Sequence, residues 1–418
     1  MGENVFEFRV LDPELRKGSG TLDLAYWTYR IRASTTLSTY PRREMEVLRR
    51  YSDFEWLRLQ LCATHPYCIV PPIPEKDVQG TLNKIVGSAS EGAARLRDYR
   101  QRALRQFLVR VGAHPRLQTS QLLQDFLEMD ESEWERKMKA TPKTADRFFT
   151  AAALGEGVNH ALTRQWNSSS NSNIAIAEAS SAYKRVITNG KTNSHVWEDT
   201  RLYIQQLEDS IKMLRERIQM LVDRRRSASK ALYEFGVAFE KVGEVEKGIE
   251  STSLSDALIA VGQHSETLSS IYVEHAGEET KQVVETLSYY HGMCAAARET
   301  LKRVHNAVQR VNSMAHTVQD ITAQKERATS RGGQPERVAK LENDIKVMED
   351  RLEAASRELE EGEIIFKEEL MRFHRDKQYD VKLILKTFAE LQLKYAVRMR
   401  DTWEKLLPTV ESVHLDDD

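Results

Sequence analysis

From Val338 to Leu406, apolar side chains return every three or four residues: Val338, Leu341, Ile345, Met348 and Leu352, and on to Trp403. That rhythm marks one face of an α-helix. No proline interrupts it between Pro335 and Pro408. At 1.5 Å per residue, residues 336–407 would span on the order of 100 Å. A helix of that length cannot fold back on a compact core and needs partners along its whole length. The rhythm begins near residue 197, with Ile204, Leu207, Ile211 and Leu214, and runs to Val242. It resumes from Leu258 to Ile321. GIESTSLSDAL parts the first two runs, with Gly248 able to end one helix and Ser253 or Ser255 able to cap the next. SRGGQPER (330–337) parts the last two. Three long helices predict an elongated antiparallel bundle over 196–410, with apolar seams that invite a second copy.

The front of the chain has other habits. FEFRVLDP (6–13), LDLAYWTYRIRAST (22–35) and EMEVLRRYS (44–52) are rich in branched and aromatic residues, with Pro41 in the turn before the third run. Asp53 is a plausible N-cap for a helix carrying Phe54, Leu57 and Leu61. A second helix is expected over about 91–113, and SQLLQDFLE reads as a short third. Three strands followed by helices predict a small α+β domain over 1–130.

Several classes are set aside. The start MGENVFEFRVLDPELRKG has no apolar core, so no secretory leader is expected. No run reaches the roughly 18–20 apolar residues of a membrane span. Cys62, Cys68 and Cys294 form no CxxC pair and are expected to be reduced thiols in the cytoplasm. CATHPYC places Cys62, His65 and Cys68 together but lacks a second half-site, so no metal is expected. The formal net charge is −2, so anion binding must come from a local patch, and no nucleic-acid partner is expected. No GxSxG or P-loop occurs and the histidines are scattered. Neither enzyme nor cofactor is expected.

One patch stands out in VLRRYSDFEWLRLQL (47–61). An arginine ending a strand beside an aromatic ring can hold a phosphorylated sugar: the guanidinium makes a bidentate phosphate contact and the ring packs under the apolar face. A surface charge beside a core tyrosine is the plainer alternative. Two further features accompany the pair. PPIP (71–74) is a stiff, polyproline-like segment that presents Lys76 on a loop. RLRDYRQRALRQFL then lines Arg95, Arg97, Arg100, Arg102 and Arg105 along one helix. Alternation along a strand puts Arg49 on the face opposite Arg50.

R-R-Y-S-D-F, P-P-x-P-E-K, the R-x-R-A-L-x-x-F-L-x-R-V-x-x-H-P-x-L run and D-F-L resemble the PX (phox homology) family. That resemblance implies a phosphoinositide-binding module with three strands and a helical subdomain. It implies that Arg50 binds the 3-phosphate and that Tyr51 stacks under the inositol. It assigns Lys76 to the 1-phosphate and Arg100 to the 4- and 5-hydroxyls. A PX domain before three long helices resembles the sorting nexins with a BAR domain, and FKEELMRFHRDKQYDVK is similar to the last BAR helix of the sorting nexin 1 group, plant members included. The family implies a peripheral protein of endosome membranes that recognises phosphatidylinositol 3-phosphate and senses or builds curvature in retromer-linked sorting. It implies a homodimer, or a heterodimer with another BAR-containing sorting nexin. The alternative is a soluble coiled-coil scaffold whose PX part binds partner proteins.

Residues 131–195 are expected to be a linker with a candidate amphipathic helix over 146–166, where Phe149 would enter the bilayer interface. The stretch QKERATSRGGQPERVAK offers Lys325, Arg327, Arg331, Arg337 and Lys340 as membrane-contacting cations.

Overall fold

The computed structural model describes residues 5–16, 26–74, 91–141, 181, 184, 194–247, 252–330 and 335–413. Strands β1 (Phe6–Arg16), β2 (Tyr26–Thr35) and β3 (Glu44–Arg50) form an antiparallel sheet in the order β1-β2-β3. Alternation sets its faces. Phe6, Phe8, Val10, Ile31, Ala33, Met45 and Val47 point into the core, while Arg30 and Arg32 pair with Glu46 across the outer face at 2.7 and 2.6 Å. The register slips between Leu11 and Glu14, where Asp12 takes a φ of 45°. A short polar side chain tolerates that left-handed backbone, and the slip bends the edge strand.

Four helices cover the sheet: α1 (Tyr51–Thr64), α2 (Glu91–Gly112), α3 (Gln121–Glu128) and α4 (Glu131–Ala140). Helix α2 closes the free edge of β1. Gln101 Nε2 donates to Val10 O at 2.7 Å, and Arg105 Nε donates to Phe8 O at 2.9 Å. One helical turn thus matches two residues of strand, and edge carbonyls that could template another chain are satisfied. Phe54 of α1 packs edge-on against Phe107 of α2 and Phe126 of α3, with ring centres 6.3 and 5.0 Å apart. Trp134 of α4, beyond the expected domain limit at 130, is buried in the same core.

Asp53 does not cap α1 from the position the sequence suggests. The helix begins at Tyr51 and Arg50 is the N-cap residue. Asp53 lies one turn in and accepts the Arg50 backbone N–H at 2.8 Å. It performs the capping from the third helical position.

The long helical region comprises α5 (Ser194–Glu246), α6 (Thr252–Glu279), α7 (Glu285–Ser330) and α8 (Pro335–Glu411). A π turn at Thr280–Val284 joins α6 to α7, so the expected second helix is a single run with one widened turn. Ser255 does not cap α6, which begins at Thr252; its buried hydroxyl donates to Gly243 O of α5 at 2.7 Å.

The chain divides into two compact units, residues 1–208 with 292–374, and residues 209–291 with 375–418. In the first, Trp197 packs on Phe366 and donates to Glu363 at 3.1 Å. In the second, Glu279 is fully buried against Arg225, which also donates to Gln392 at 2.8 Å. There His275 stacks on Tyr395 at 4.4 Å, and Lys394 and Arg398 pair with Glu278 and Glu274. Among the described residues, no helix is long and apolar enough to cross a membrane.

Candidate functional site

The junction of β3 and α1 turns two neighbouring arginines to opposite sides. Arg49 is 1% exposed. It donates to Phe126 O at 3.1 Å, Met129 O at 2.6 Å and Leu48 O at 2.9 Å. Its guanidinium lies 5.4 Å from the Phe126 ring centre and 5.0 Å from that of Trp134. Burial pushes its pKa down to about 10, which still leaves it charged at neutral pH. Arg49 is therefore part of the core.

The Arg50 side chain faces solvent, 39% exposed. Asp53 steadies it through Nε at 3.3 Å, and the Tyr26 ring lies 5.6 Å from its guanidinium carbon. Asp53 is itself buried, and desolvation raises its pKa against the pull of Arg50 and Arg49. Tyr51 follows as the first helical residue. Its hydroxyl donates to Pro74 O at 2.5 Å, so the ring is pinned between α1 and the proline-rich segment. Burial pushes its pKa up to about 12, which keeps that hydroxyl protonated.

Arg100 approaches from α2, its guanidinium carbon 5.5 Å from the Tyr51 ring centre. It is 8% exposed, and its Nε has no hydrogen-bond partner among the described residues. One turn earlier, Arg97 lies 5.6 Å from the Trp27 ring. Three guanidinium groups and three aromatic rings thus gather where β2, β3, α1 and α2 meet. An anionic, hydroxylated ring suits them: rings pack on its apolar face and guanidinium groups supply directed donors. A buried donor without an acceptor is costly, and a ligand oxygen would relieve it.

Of the expected site residues, Arg50, Tyr51 and Arg100 come together here. Lys76 lies outside the described residues, as do Phe149 with the segment 146–166, and Arg331. Lys325 is not a free cation, because it pairs with Glu342 at 2.8 Å. Arg327, Arg337 and Lys340 are exposed. Tyr26 and Trp27 were not anticipated as site residues; their rings belong to an aromatic run whose position beside the arginines depends on strand register, in which Thr28 opposes Arg50.

A second cluster gathers beneath the proline-rich segment. Donor atoms of Cys68, His114 and Glu369 lie within 4.8 Å of one another, all three residues buried. His114 Nδ1 accepts the backbone N–H groups of Arg116 and Leu117, and its Nε2 lies 2.8 Å from Glu369. Arg372 Nη1 donates to Glu369 at 2.8 Å and lies 2.5 Å from His114 Nε2. Burial pushes the Cys68 thiol up to about 12, so it is neutral here. The group acts as an ion-pair clasp.

A three-stranded sheet with a helical subdomain and an arginine–aromatic pocket, followed by a long helical region, defines a lipid-directed PX module joined to a BAR-like domain. A family model described as PX domain matches residues 37–130. One described as Vps5 C terminal like matches residues 174–409, more than half of the chain. The chain belongs to that family, and it is a sorting nexin with PX and BAR domains. Arabidopsis thaliana sorting nexin 1 is similar, 26% identical over 409 residues, covering 96% of this chain and 92% of the relative. Mus musculus sorting nexin-1 is 24% identical over 407 residues, covering 97% of this chain and 72% of the relative. Among solved structures, the cryo-EM structure of the SNX-BAR Mvp1 tetramer shares the fold, with a TM-score of 0.54 at 19% identity, covering 96% of this chain and 99% of that one. Together, PX and BAR domains imply phosphoinositide-membrane binding and dimerisation.

Proposed function

We propose that this sorting nexin recognises phosphatidylinositol 3-phosphate through the pocket of Arg50, Tyr51 and Arg100, with Lys76 contributing a further cation. It acts as a peripheral protein on the cytoplasmic face of endosomes. It dimerises through its helical domain, with itself or with another BAR-containing sorting nexin, and senses or induces curvature in retromer-linked sorting. The observation that carries this reading is the buried Nε of Arg100, without a partner among the described residues and beside the Tyr51 ring. Arg50, exposed at the rim, is the group for the 3-phosphate. Lys76 has the chemistry for the phosphate that joins headgroup to glycerol. Catalysis has no part in this reading: the role is that of an adaptor.

Flotation of the full chain with liposomes containing phosphatidylinositol 3-phosphate tests the reading. Arg50→Ala removes a charge-assisted phosphate contact, and binding falls at least about tenfold. Dimer mass and circular dichroism stay unchanged, because the Arg50 backbone N–H still reaches Asp53. Unimpaired flotation of the variant would overturn the pocket. Failure of the unaltered chain to float with any phosphoinositide would favour the soluble scaffold.

A further inference from the structure

The proline-rich segment 66–74 lies between the pocket and the helical region. Its prolines deny it a hydrogen-bond ladder of its own, and its carbonyls are met from outside. Tyr51 donates to Pro74 O at 2.5 Å, and Arg58 Nε of α1 donates to Pro71 O at 3.0 Å. The other two donors come from α7: Thr300 reaches Cys68 O at 3.1 Å and Arg303 reaches Pro66 O at 3.3 Å. Glu369 of α8 accepts the Ile69 N–H at 3.1 Å.

Steric fit adds to this. A Cβ placed on Gly292 would lie 2.8 Å from Pro72 Cβ, and one on Gly362 would lie 2.3 Å from the Tyr67 ring. Each helix therefore admits one ring of the segment only because it carries glycine there. Arg58 is the crossing point. The guanidinium that holds Pro71 O also meets Glu299 of α7 at 3.3 Å, with the Arg58 side chain 16% exposed.

We propose that α7 sets the wall of the lipid pocket: through Gly292, Glu299 and Thr300 it fixes segment 66–74, and so the Tyr51 ring, with Arg58 as the positioning residue. The inference rests on the phosphoinositide reading of the pocket. None of these residues is among the proposed ligand contacts. They hold the acceptor that pins Tyr51. Coupling of this kind is reciprocal, so an occupied pocket favours the docked helix as much as the docked helix favours ligand.

Calorimetry on the full chain with water-soluble, short-chain phosphatidylinositol 3-phosphate tests this, because a soluble probe removes avidity and curvature from the measurement. Gly292→Val pushes Pro72 off its seat, and affinity falls about fivefold or more. Glu299→Gln keeps the shape of the side chain, removes the charge opposite Arg58, and lowers affinity about threefold. Melting behaviour and dimer mass of Glu299→Gln match the unaltered chain, so that variant decides the matter if Gly292→Val does not fold. Affinities within about 1.5-fold of the unaltered chain for both folded variants, or for Glu299→Gln alone, would overturn the inference. Arg50→Ala separates the two readings. Binding that is lost in Arg50→Ala yet unchanged in the α7 variants leaves the pocket standing and removes the coupling. No binding by the unaltered chain removes both.

Discussion

Arg49 and Arg50 are the same residue type, adjacent, at one strand end, and they do opposite work. Strand alternation sends Arg49 between Phe126 and Trp134, where three backbone carbonyls accept from it. Arg49→Ala strands those carbonyls and leaves a cavity. We expect a loss of about 3 kcal/mol in stability, seen as an earlier thermal transition of the PX module. Arg49 is therefore no neutral control for a lipid-binding variant. Arg50→Ala leaves the transition in place and acts on lipid alone. Equal thermal shifts for the two variants would contradict this division of roles.

The packing of α6 against α8 carries a pH dependence that can be read from one side chain. His275 is buried against Tyr395, and its Nε2 has no partner among the described residues. Burial first, then nearby Arg225, pushes its pKa down to about 4 from an ordinary value of 6.5. Between those values the unfolded chain binds more protons than the folded one, so stability rises with pH across that window. It is complete above about pH 6.5 and is lost as pH falls toward 4, by on the order of 3 kcal/mol. His275→Phe keeps a ring against Tyr395 and cannot be protonated. Chemical denaturation at pH 7 and pH 5 should show the unaltered chain weakening and the variant changing much less. An equal pH slope in both would assign the effect to other groups.

At the scale of the whole molecule, the second unit leaves large apolar side chains exposed, among them Met213, Leu214 and Phe235 of α5 and Leu383, Leu385 and Leu393 of α8. Phe235 is 46% exposed, its ring tilted against that of Phe239 with centres 4.7 Å apart. A single chain tolerates glutamate there, whereas a dimer seam would bury an unpaired charge. Phe235→Glu should therefore give a folded monomer by light scattering; an intact dimer would place the seam elsewhere. Curvature is expected to depend on the exposed cations at the α7–α8 turn. Lys325 is spent on Glu342, so the useful set is Arg327, Arg337 and Lys340. Each basic group near an anionic surface contributes about 1 kcal/mol. Reversing all three to glutamate should abolish liposome tubulation in electron micrographs while leaving the dimer and soluble-lipid affinity intact. Tubules of normal width would exclude this turn from shaping membrane.

Local rules sufficed for much of this protein. The three-four rhythm determined the long helices, because a face that repeats every 3.6 residues can be buried only as a helix. Alternation determined which strand faces enter the core and separated Arg49 from Arg50, since the side-chain period of a strand is two. Arg50, Tyr51 and Arg100 were candidates because the motif that resembles the PX family spans a strand end, a proline-rich segment and a helix. Tertiary structure decided the rest. Strand register brought Tyr26 and Trp27 beside the arginines, and nothing in a local pattern encodes register across a turn. The π turn at Thr280–Val284 lies inside an unbroken helical rhythm, so periodicity passes over it. Arg58 and Glu299, 241 residues apart, read in sequence as ordinary helical surface charges. Only the fold brings Glu299 to the arginine that holds Pro71 O, because a charge's partner depends on distance in space and not on position along the chain.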